Sequence, residues 1–279
     1  MEIRHYSSNN NKTFSQILYE IMKGFIEGRE LASRLFIRDL KASFRKSFLG
    51  FFWMFIPPFA TAGIWIFLSS QKAVSIQKTP MEYNAFVFCG TIIWSLFAEG
   101  ISKPIQRYQS VMGMMSKLNF PREAVILTSF YDLIYSFILK LLVLIPILWF
   151  LGYPPNLSFL FVILTILGML FVSISIGLLL CPIGLLYNDI GRALPMLLPF
   201  LMYLSPVIYP IQENTEFPIL KYLNPATPFI ENARSFMGGY DFNMYSELVF
   251  WLIIGLISFI IGLIVMKISL PIIVERSGG

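Results

Sequence analysis

The sequence is poor in charge. Asp, Glu, Lys and Arg together make up 13% of its 279 residues, against roughly 25% in ordinary soluble domains. So few charges do not cover the water-facing surface of a soluble chain of this length. Because 56% of the residues are hydrophobic and the mean hydropathy is +0.70, we expect much of the surface to face lipid.

Residues that often catalyse reactions or bind metals are also scarce. The single histidine, His5, lies in a polar N-terminal stretch, which argues against histidine-based catalysis and against a metal site. Cys89 and Cys181 lie far apart within apolar runs, where small buried hydrophobic residues are expected rather than a disulfide. We therefore expect no metal or cofactor on this chain.

The sequence also lacks the motifs of nucleotide-binding and hydrolytic proteins. It contains no Gly-Lys dipeptide, so the phosphate-binding loop of many ATPases is missing. Neither a His-Glu-x-x-His nor a Gly-x-Ser-x-Gly motif occurs, and the acidic residues are scattered rather than clustered. Energy for transport would have to come from an ion gradient or from another chain.

Long apolar runs fill most of the chain. About 20 helical residues cross the roughly 30 Å of membrane hydrocarbon, and Gly and Pro-Pro divide the longest run at residues 152–156. Pro57-Pro58 predicts a kink or an interruption in the first span. The six predicted spans are Ser47–Gln71, Tyr83–Arg107, Ala124–Phe150, Leu157–Leu186, Ala193–Ile211 and Leu248–Met266.

The distribution of Lys and Arg predicts the orientation. Nine of these residues precede Phe48 and three more lie in the link between spans two and three, whereas the alternate loops carry two, none and two. Both termini are therefore expected in the cytoplasm, with residues 269–279 as a C-terminal tail. We expect no cleavable signal sequence. The net charge of +5 is explained by the membrane orientation and by contact with anionic lipids. Binding of nucleic acid is a remote alternative explanation.

Residues 1–46 are predicted to be a cytoplasmic N-terminal tail and helix. Apolar residues recur at helical spacing up to Gly28, where a break is expected, and then alternate with basic residues. Such a helix normally lies in the cytoplasmic interface, either as a plain anchor or as a docking surface for a partner. The residues assigned to this interface helix are Arg34, Arg38, Asp39, Lys41, Phe44 and Arg45.

Two further segments of the predicted membrane domain, residues 47–268, stand out. Residues 110–123 favour a turn followed by a helix that begins at Pro121. The segment is either an ordinary amphipathic loop or a surface for docking a partner protein, with Met115 and Phe120 exposed. Residues 206–240 are too apolar for a free loop and too rich in proline for a span, so short re-entrant gate helices at the outer face are expected. The gate residues assigned are Pro206, Tyr209, Pro210, Tyr222, Asn224, Pro225 and Pro228.

Charges also occur within the predicted spans. Glu99 and Lys103 share a helix face with Arg107, so these side chains can pair near the cytoplasmic end of their span. Asp132 and Lys140 lie deeper, where a charge requires a partner or a wet cavity. The residues alone leave open whether these two line a pathway or pair between helices.

Five motifs in chain order resemble the transmembrane subunit of type-2 ABC exporters, in the branch that exports O-antigen, teichoic acid and capsule. The resemblance covers about Leu31 to Arg276. The motifs are Arg38–Lys41 with Ser47–Trp53, Lys117–Glu123, Asn188–Ile190, Leu204–Pro210 and Leu223–Pro228.

The resemblance implies a homodimer in a bacterial cytoplasmic (inner) membrane, with two separate nucleotide-binding subunits that carry ATP and Mg²⁺. Those subunits would grip the interface helix and the coupling residues Lys117, Leu118, Asn119, Phe120, Pro121, Arg122 and Glu123. A lipid-linked polysaccharide would pass between the two copies through a channel lined by aromatic rings. The candidate channel-lining residues are Trp65, Phe67, Tyr203 and Tyr209. An exporter of drugs or small lipids and a membrane-embedded enzyme of glycolipid assembly remain the alternatives.

Overall fold

The computed structural model describes residues 14–45, 50–74, 77–115, 117, 120–211, 223–241 and 244–278. These residues form α-helices joined by turns, with one 3-10 helix at Gly50–Met54 and no β-strand among them. The α-helices are α1 Phe14–Arg45, α2 Ile56–Ser70, α3 Tyr83–Met115, α4 Glu123–Phe150, α5 Phe159–Leu186, α6 Asn188–Leu204, α7 Thr227–Gly238 and α8 Tyr245–Gly278.

Four helices in this part of the chain are long and apolar enough to cross a membrane: α3, α4, α5 and α8. They correspond to the second, third, fourth and sixth predicted spans. α2 has 15 residues and α6 has 17, and both are shorter than the ~20 residues that a bilayer core requires. By length and composition, four of the six predicted spans thus have a helix that is able to cross a membrane.

The first predicted span is divided at its two prolines. Pro57 and Pro58 lie in the first turn of α2, where a missing backbone N–H costs no intrahelical hydrogen bond. They mark the start of a new helix after the 3-10 helix Gly50–Met54 and the turn at Phe55. The prolines therefore interrupt the predicted span, which is one of the two outcomes expected, and they do not kink a continuous helix.

α6 begins five residues before the predicted fifth span and ends seven residues before its predicted end, as the bounds Asn188–Leu204 show against Ala193–Ile211. Ser205, which follows, has an extended backbone. A residue that precedes a proline is sterically biased toward this conformation, so Pro206 ends the helix.

The centre of the bundle is the packing of α5 against α3 and α8. Glycines bring the backbones of α3 and α5 together. A Cβ on Gly177 would lie 2.5 Å from the carbonyl oxygen of Ile101, and one on Gly100 would overlap the Ser173 side chain. Small residues at such positions allow close approach between membrane helices.

Several helices are longer than a bilayer is thick. α3 has 33 residues and α8 has 34, about 50 Å each at 1.5 Å per residue. The hydroxyl of Tyr153 accepts a hydrogen bond from the backbone N–H of Glu82 at 2.8 Å, so α3 begins at the same end of the bundle where α4 finishes. The excess length therefore projects from the opposite end, and α8 continues as helix through most of the expected C-terminal tail.

This end-to-end alignment gives the depth of the charged residues. Counted along α4 from the Tyr153 end, Lys140 lies about 16 Å in, which is near the middle of a hydrocarbon core ~30 Å thick that begins at that end. Asp132 and Arg107 lie about 28 and 36 Å in, at or beyond the opposite boundary. Asp132 is therefore shallower than its position within an apolar run suggests.

Candidate functional site

α1 packs along the first turns of α4, and the two helices run in the same direction. Gly24 faces Glu123, and a Cβ on Gly28 would lie 3.1 Å from both the Cβ and the backbone nitrogen of Ala124. Ala32, one turn further on, is completely buried. The expected break at Gly28 is wrong, because glycine serves here for close packing within an uninterrupted helix.

An ion-pair network joins α1, α3 and α4. The Arg107 guanidinium donates hydrogen bonds to the carboxylates of Asp39 on α1 and Asp132 on α4. Arg38 donates a further bond to Asp39 at 2.7 Å. Arg107 and Asp132 are 17% and 10% exposed, so water screens this network only in part. Arg107 thus pairs across helices.

A second pair lies deeper between α3 and α4. Nζ of Lys140 lies 2.7 Å from a carboxylate oxygen of Glu99, and the Ser136 hydroxyl donates a hydrogen bond to the other oxygen. The Lys140 side chain is completely buried. A charge at this depth is costly without a partner, and Glu99 is that partner. The sequence left open whether Lys140 lines a pathway or pairs between helices. Its contacts with Glu99 are those of a pair between two helices.

The predicted coupling segment is only partly described. Leu118 and Asn119 lie outside the described residues, Lys117 is exposed, and Phe120 is half-buried against the apolar cluster of α1 and α3. Met115 is buried, so the expectation that it is exposed is wrong. α4 begins at Glu123 rather than at Pro121, after a turn in which the N–H of Ala124 bonds the carbonyl of Pro121 at 3.1 Å.

Glu123 connects this segment to the last helix. It is 6% exposed and accepts a hydrogen bond from Lys267 of α8. Gly24 of α1 is packed on the same side chain, since a Cβ there would lie 2.5 Å from the Glu123 carboxyl carbon. Glu123 is therefore a contact point of α1, α4 and α8.

The remaining interface-helix residues are on or near the surface of α1. Arg34 pairs with Glu30 at 2.6 Å in an exposed i, i+4 pair. Lys41 and Arg45 are exposed, and they flank an open cleft with Arg38. The Phe44 side chain lies outside the described residues.

The two proline-rich motifs of the predicted gate are brought together. The Asn224 side-chain amide donates a hydrogen bond to the Ser205 hydroxyl, and its Oδ1 accepts one from the backbone N–H of Ala226 at 2.9 Å. Pro228 lies in the first turn of α7. Tyr222 lies outside the described residues, as does the rest of 212–222.

α7 is buried on nearly every side. Ten of its twelve residues are buried, including the polar residues Thr227, Glu231 and Asn232. Gly239 ends it with φ 66°, the left-handed conformation that glycine adopts without strain.

Arg234 of α7 is the functional candidate that sequence reasoning missed. It was counted only as a charge in an external loop, yet its side chain is completely buried. Nη1 donates to the carbonyl of Pro206 at 2.7 Å and to Glu231 at 2.6 Å. The sequence did contain a signal for a buried ion pair on a helix. Glu231 and Arg234 are three residues apart, in a segment that is too apolar for a free loop.

Three of the four aromatic residues selected for a channel lie together. The rings of Trp65 on α2 and Tyr203 on α6 are 6.1 Å apart, and the Tyr209 hydroxyl donates a hydrogen bond to the Tyr203 carbonyl at 3.2 Å. Phe67 is exposed and follows Trp65 by two residues, about 200° around the helix. Trp65 and Phe67 therefore face opposite sides of α2.

A protein-family model described as ABC-2 type transporter matches residues 30–238. The chain belongs to the ABC-2 type transporter family. It is accordingly a multi-pass membrane protein and a transporter rather than an enzyme. The matched range of this ABC-2 transporter includes the Arg107 network and the Glu99–Lys140 pair, and it ends at the last residue of α7.

Similar proteins carry names from polysaccharide export. The O-antigen export system permease protein RfbA of Myxococcus xanthus is 23% identical over 221 residues, 78% of this chain and 84% of the relative. A protein of the same name from Klebsiella pneumoniae is 26% identical over 229 residues, 81% and 86% of the two chains. The polysialic acid transport protein KpsM of Escherichia coli is 26% identical over 224 residues, 78% and 85% of the two.

Proposed function

We propose that this chain is the membrane subunit of an ATP-driven exporter that moves a lipid-linked polysaccharide across a bacterial cytoplasmic membrane. The observation that carries the proposal is the ABC-2 match over residues 30–238 combined with relatives named for O-antigen and polysialic acid. Those relatives align over 78% or more of the chain, so the likeness extends over most of its length.

The membrane domain in this proposal has six spans with both termini in the cytoplasm. The 3-10 helix Gly50–Met54 adds about 10 Å to the ~22 Å of α2, so together they reach across a bilayer core. α6 contributes about 25 Å, and the extended residues after Leu204 supply the rest. The excess of Lys and Arg before the first span and between spans two and three supports this orientation.

The proposed exporter is a homodimer with two nucleotide-binding subunits, which hold ATP and Mg²⁺. Those subunits contact α1 and the coupling residues around Phe120 and Arg122. The contacts of Glu123 with α1 and α8, together with the Arg107 network, support this arrangement, since a movement of α1 would be transmitted to α3, α4 and α8.

At the other end of the bundle, the Ser205–Tyr209 segment and α7 form the external gate. Trp65, Tyr203 and Tyr209 lie at the edge of this region. Aromatic rings with a polar tip can stack on sugar faces and bond sugar hydroxyls, which suits a glycan path. The buried polar contacts of α7 support a re-entrant position, because irregular backbone at membrane depth must pack on protein or line a cavity.

Deletion of the gene in its native host tests the function. Surface polysaccharide can be labelled on intact cells by periodate oxidation followed by an impermeant hydrazide dye. We expect the deletion to lose surface label and to accumulate polymer inside the cell, and complementation by the wild-type chain to reverse both. Unchanged surface label, with altered resistance to small toxic compounds, would support the drug-exporter alternative instead.

A further inference from the structure

The gate helix α7 is attached to α3 by a buried charge. Nη2 of Arg234 donates hydrogen bonds to the carbonyl of Phe86 on α3, at 3.0 Å, and to the carbonyl of Val207. Nη1 bonds Pro206 and Glu231, so of the three guanidinium nitrogens Nε alone has no hydrogen-bond partner among the described residues. The guanidinium thus joins three separate segments of the chain.

The structure around the guanidinium matches its shape. Its central carbon lies 3.5 Å from the centroid of the Phe86 ring, a stacked arrangement that favours arginine. Gly90, one helical turn along α3, leaves space for it, since a Cβ at Gly90 would overlap both Nη2 of Arg234 and the Val207 carbonyl. α3 therefore has a notch that accommodates this side chain.

Burial makes this attachment hard to break. Arg234 is completely buried and Glu231 is 4% exposed as side chains. Moving α7 away from α3 would take the Phe86 carbonyl and ring away from a charged group that water does not reach. An unpaired buried charge costs far more than a lost apolar contact.

Independent contacts hold both ends of α7. Near its C-terminal end, Sγ of the buried Cys89 on α3 lies 3.4 Å from Sδ of Met237. The Asn232 side chain accepts a hydrogen bond from the backbone N–H of Met244, just before α8, at 3.3 Å. Phe229 packs on α5, where a Cβ on Gly168 would lie 3.3 Å from its ring.

We infer that Arg234 is a positioning residue that fixes α7 to α3, so that α7 is a rigid rim of the outlet and not a flap that swings away during export. The inference rests on the proposed function. The outlet then widens by movement of whole helix bundles, and each α7 is carried along with its own α3.

Native Cys89 provides a direct test. In a Cys181→Ser background, Met237→Cys places a second thiol opposite Cys89, and Hg²⁺ can bridge the two. The matched control is the same chain with Cys89→Ser, which has no second thiol. Both are assayed in the complete complex in the native host, with surface polysaccharide labelled by periodate and hydrazide.

Export that continues after bridging, at the level of the Cys89→Ser control, is the expected result. Export that is lost on bridging and restored by a thiol reductant would overturn the inference, because α7 would then have to leave α3. Failure of Hg²⁺ to bridge the pair in any nucleotide state would also contradict it. A failure of the proposed function is distinguishable, since the unbridged double variant would then export no polysaccharide.

A second arm tests Arg234 itself. Arg234→Lys keeps the charge but cannot form the planar fork of hydrogen bonds. We expect bridging of Cys89 to Met237→Cys to be equal with and without ATP in the parent, and to depend on ATP in the Arg234→Lys chain. Gly90→Ala displaces the guanidinium, so we expect it to make the bridging depend on ATP as well. It replaces the Arg234→Lys variant if that chain does not reach the membrane. ATP-independent bridging in both variants would show that Arg234 does not hold α7.

Discussion

Arg107 of α3 and Asp132 of α4 form a two-pronged ion pair, to which Asp39 of α1 adds a third helix. The network lies at the end of the bundle opposite Tyr153, about two and a half turns into α4. It provides a physical connection between the N-terminal helix and two membrane helices.

Arg107→Ala should destabilise the protein. The change leaves the Asp39 and Asp132 carboxylates, which are 24% and 10% exposed, without their shared partner. We expect a loss of about 2 kcal/mol, since removal of one member of a partly buried network leaves unpaired charge behind. Thermal unfolding of the purified protein in detergent measures it.

Arg34→Ala is the matched control for Arg107→Ala. Arg34 pairs with Glu30, but the side chains are 76% and 75% exposed, and such pairs contribute about 0.5 kcal/mol or less. Equal melting shifts for the two variants would mean that the Arg107 network has no special role.

Lys140→Met should be among the most damaging single changes. It leaves Glu99 unpaired near the membrane core, at an expected cost of about 3 kcal/mol. Adding Glu99→Gln removes the isolated charge, so the double variant should recover most of the melting temperature and of the folded yield. If the double variant is no more stable than Lys140→Met alone, the pair is not the reason that Lys140 is tolerated.

Gly28→Leu should push α1 away from α4. A Cβ at this position is already in tight contact with Ala124, and overpacking typically costs about 1–3 kcal/mol. Faster cleavage of α1 by trypsin, with lower export, is the expected outcome. Gly113→Ala is the control, because a Cβ there meets nothing within 4 Å. Equal trypsin sensitivity of the two variants would contradict the close α1–α4 packing.

Phe120→Ala combined with Arg122→Ala should uncouple ATP hydrolysis from transport. These residues lie on the turn before α4, where the proposed nucleotide-binding subunit makes contact. We expect export to fall while the membrane insertion of the chain is unchanged. Lys72→Ala, an exposed change in the loop between α2 and α3, should have no effect on export. Normal export in the double variant would refute the coupling assignment.

The sequence predicted the long helices well, because apolar runs and breaks are local features. The fourth span was predicted from Leu157 to Leu186, and α5 extends from Phe159 to Leu186. α6 was placed less well, since prolines within it and after it give similar local signals. Only the extended residue Ser205 shows which proline ends the helix.

Contacts between distant residues were beyond local reasoning. Helical spacing suggested that Arg107 pairs along α3, whereas its partners are 68 and 25 residues away in sequence. Gly28 was interpreted as a break because glycine weakens isolated helices, but packing against α4 decides its role. Arg234 looked like a surface charge until its three carbonyl acceptors came together around it.

Transport by the complete complex in inverted membrane vesicles tests the central claim most directly. Lipid-linked polysaccharide on the outer, formerly cytoplasmic, surface of the vesicles can be followed by its sensitivity to a membrane-impermeant glycan-oxidising reagent. The account predicts that ATP makes the polymer resistant to the reagent, and only when this chain and its nucleotide-binding partner are both present. Polymer that stays sensitive after ATP addition, or becomes resistant without the partner, would contradict it.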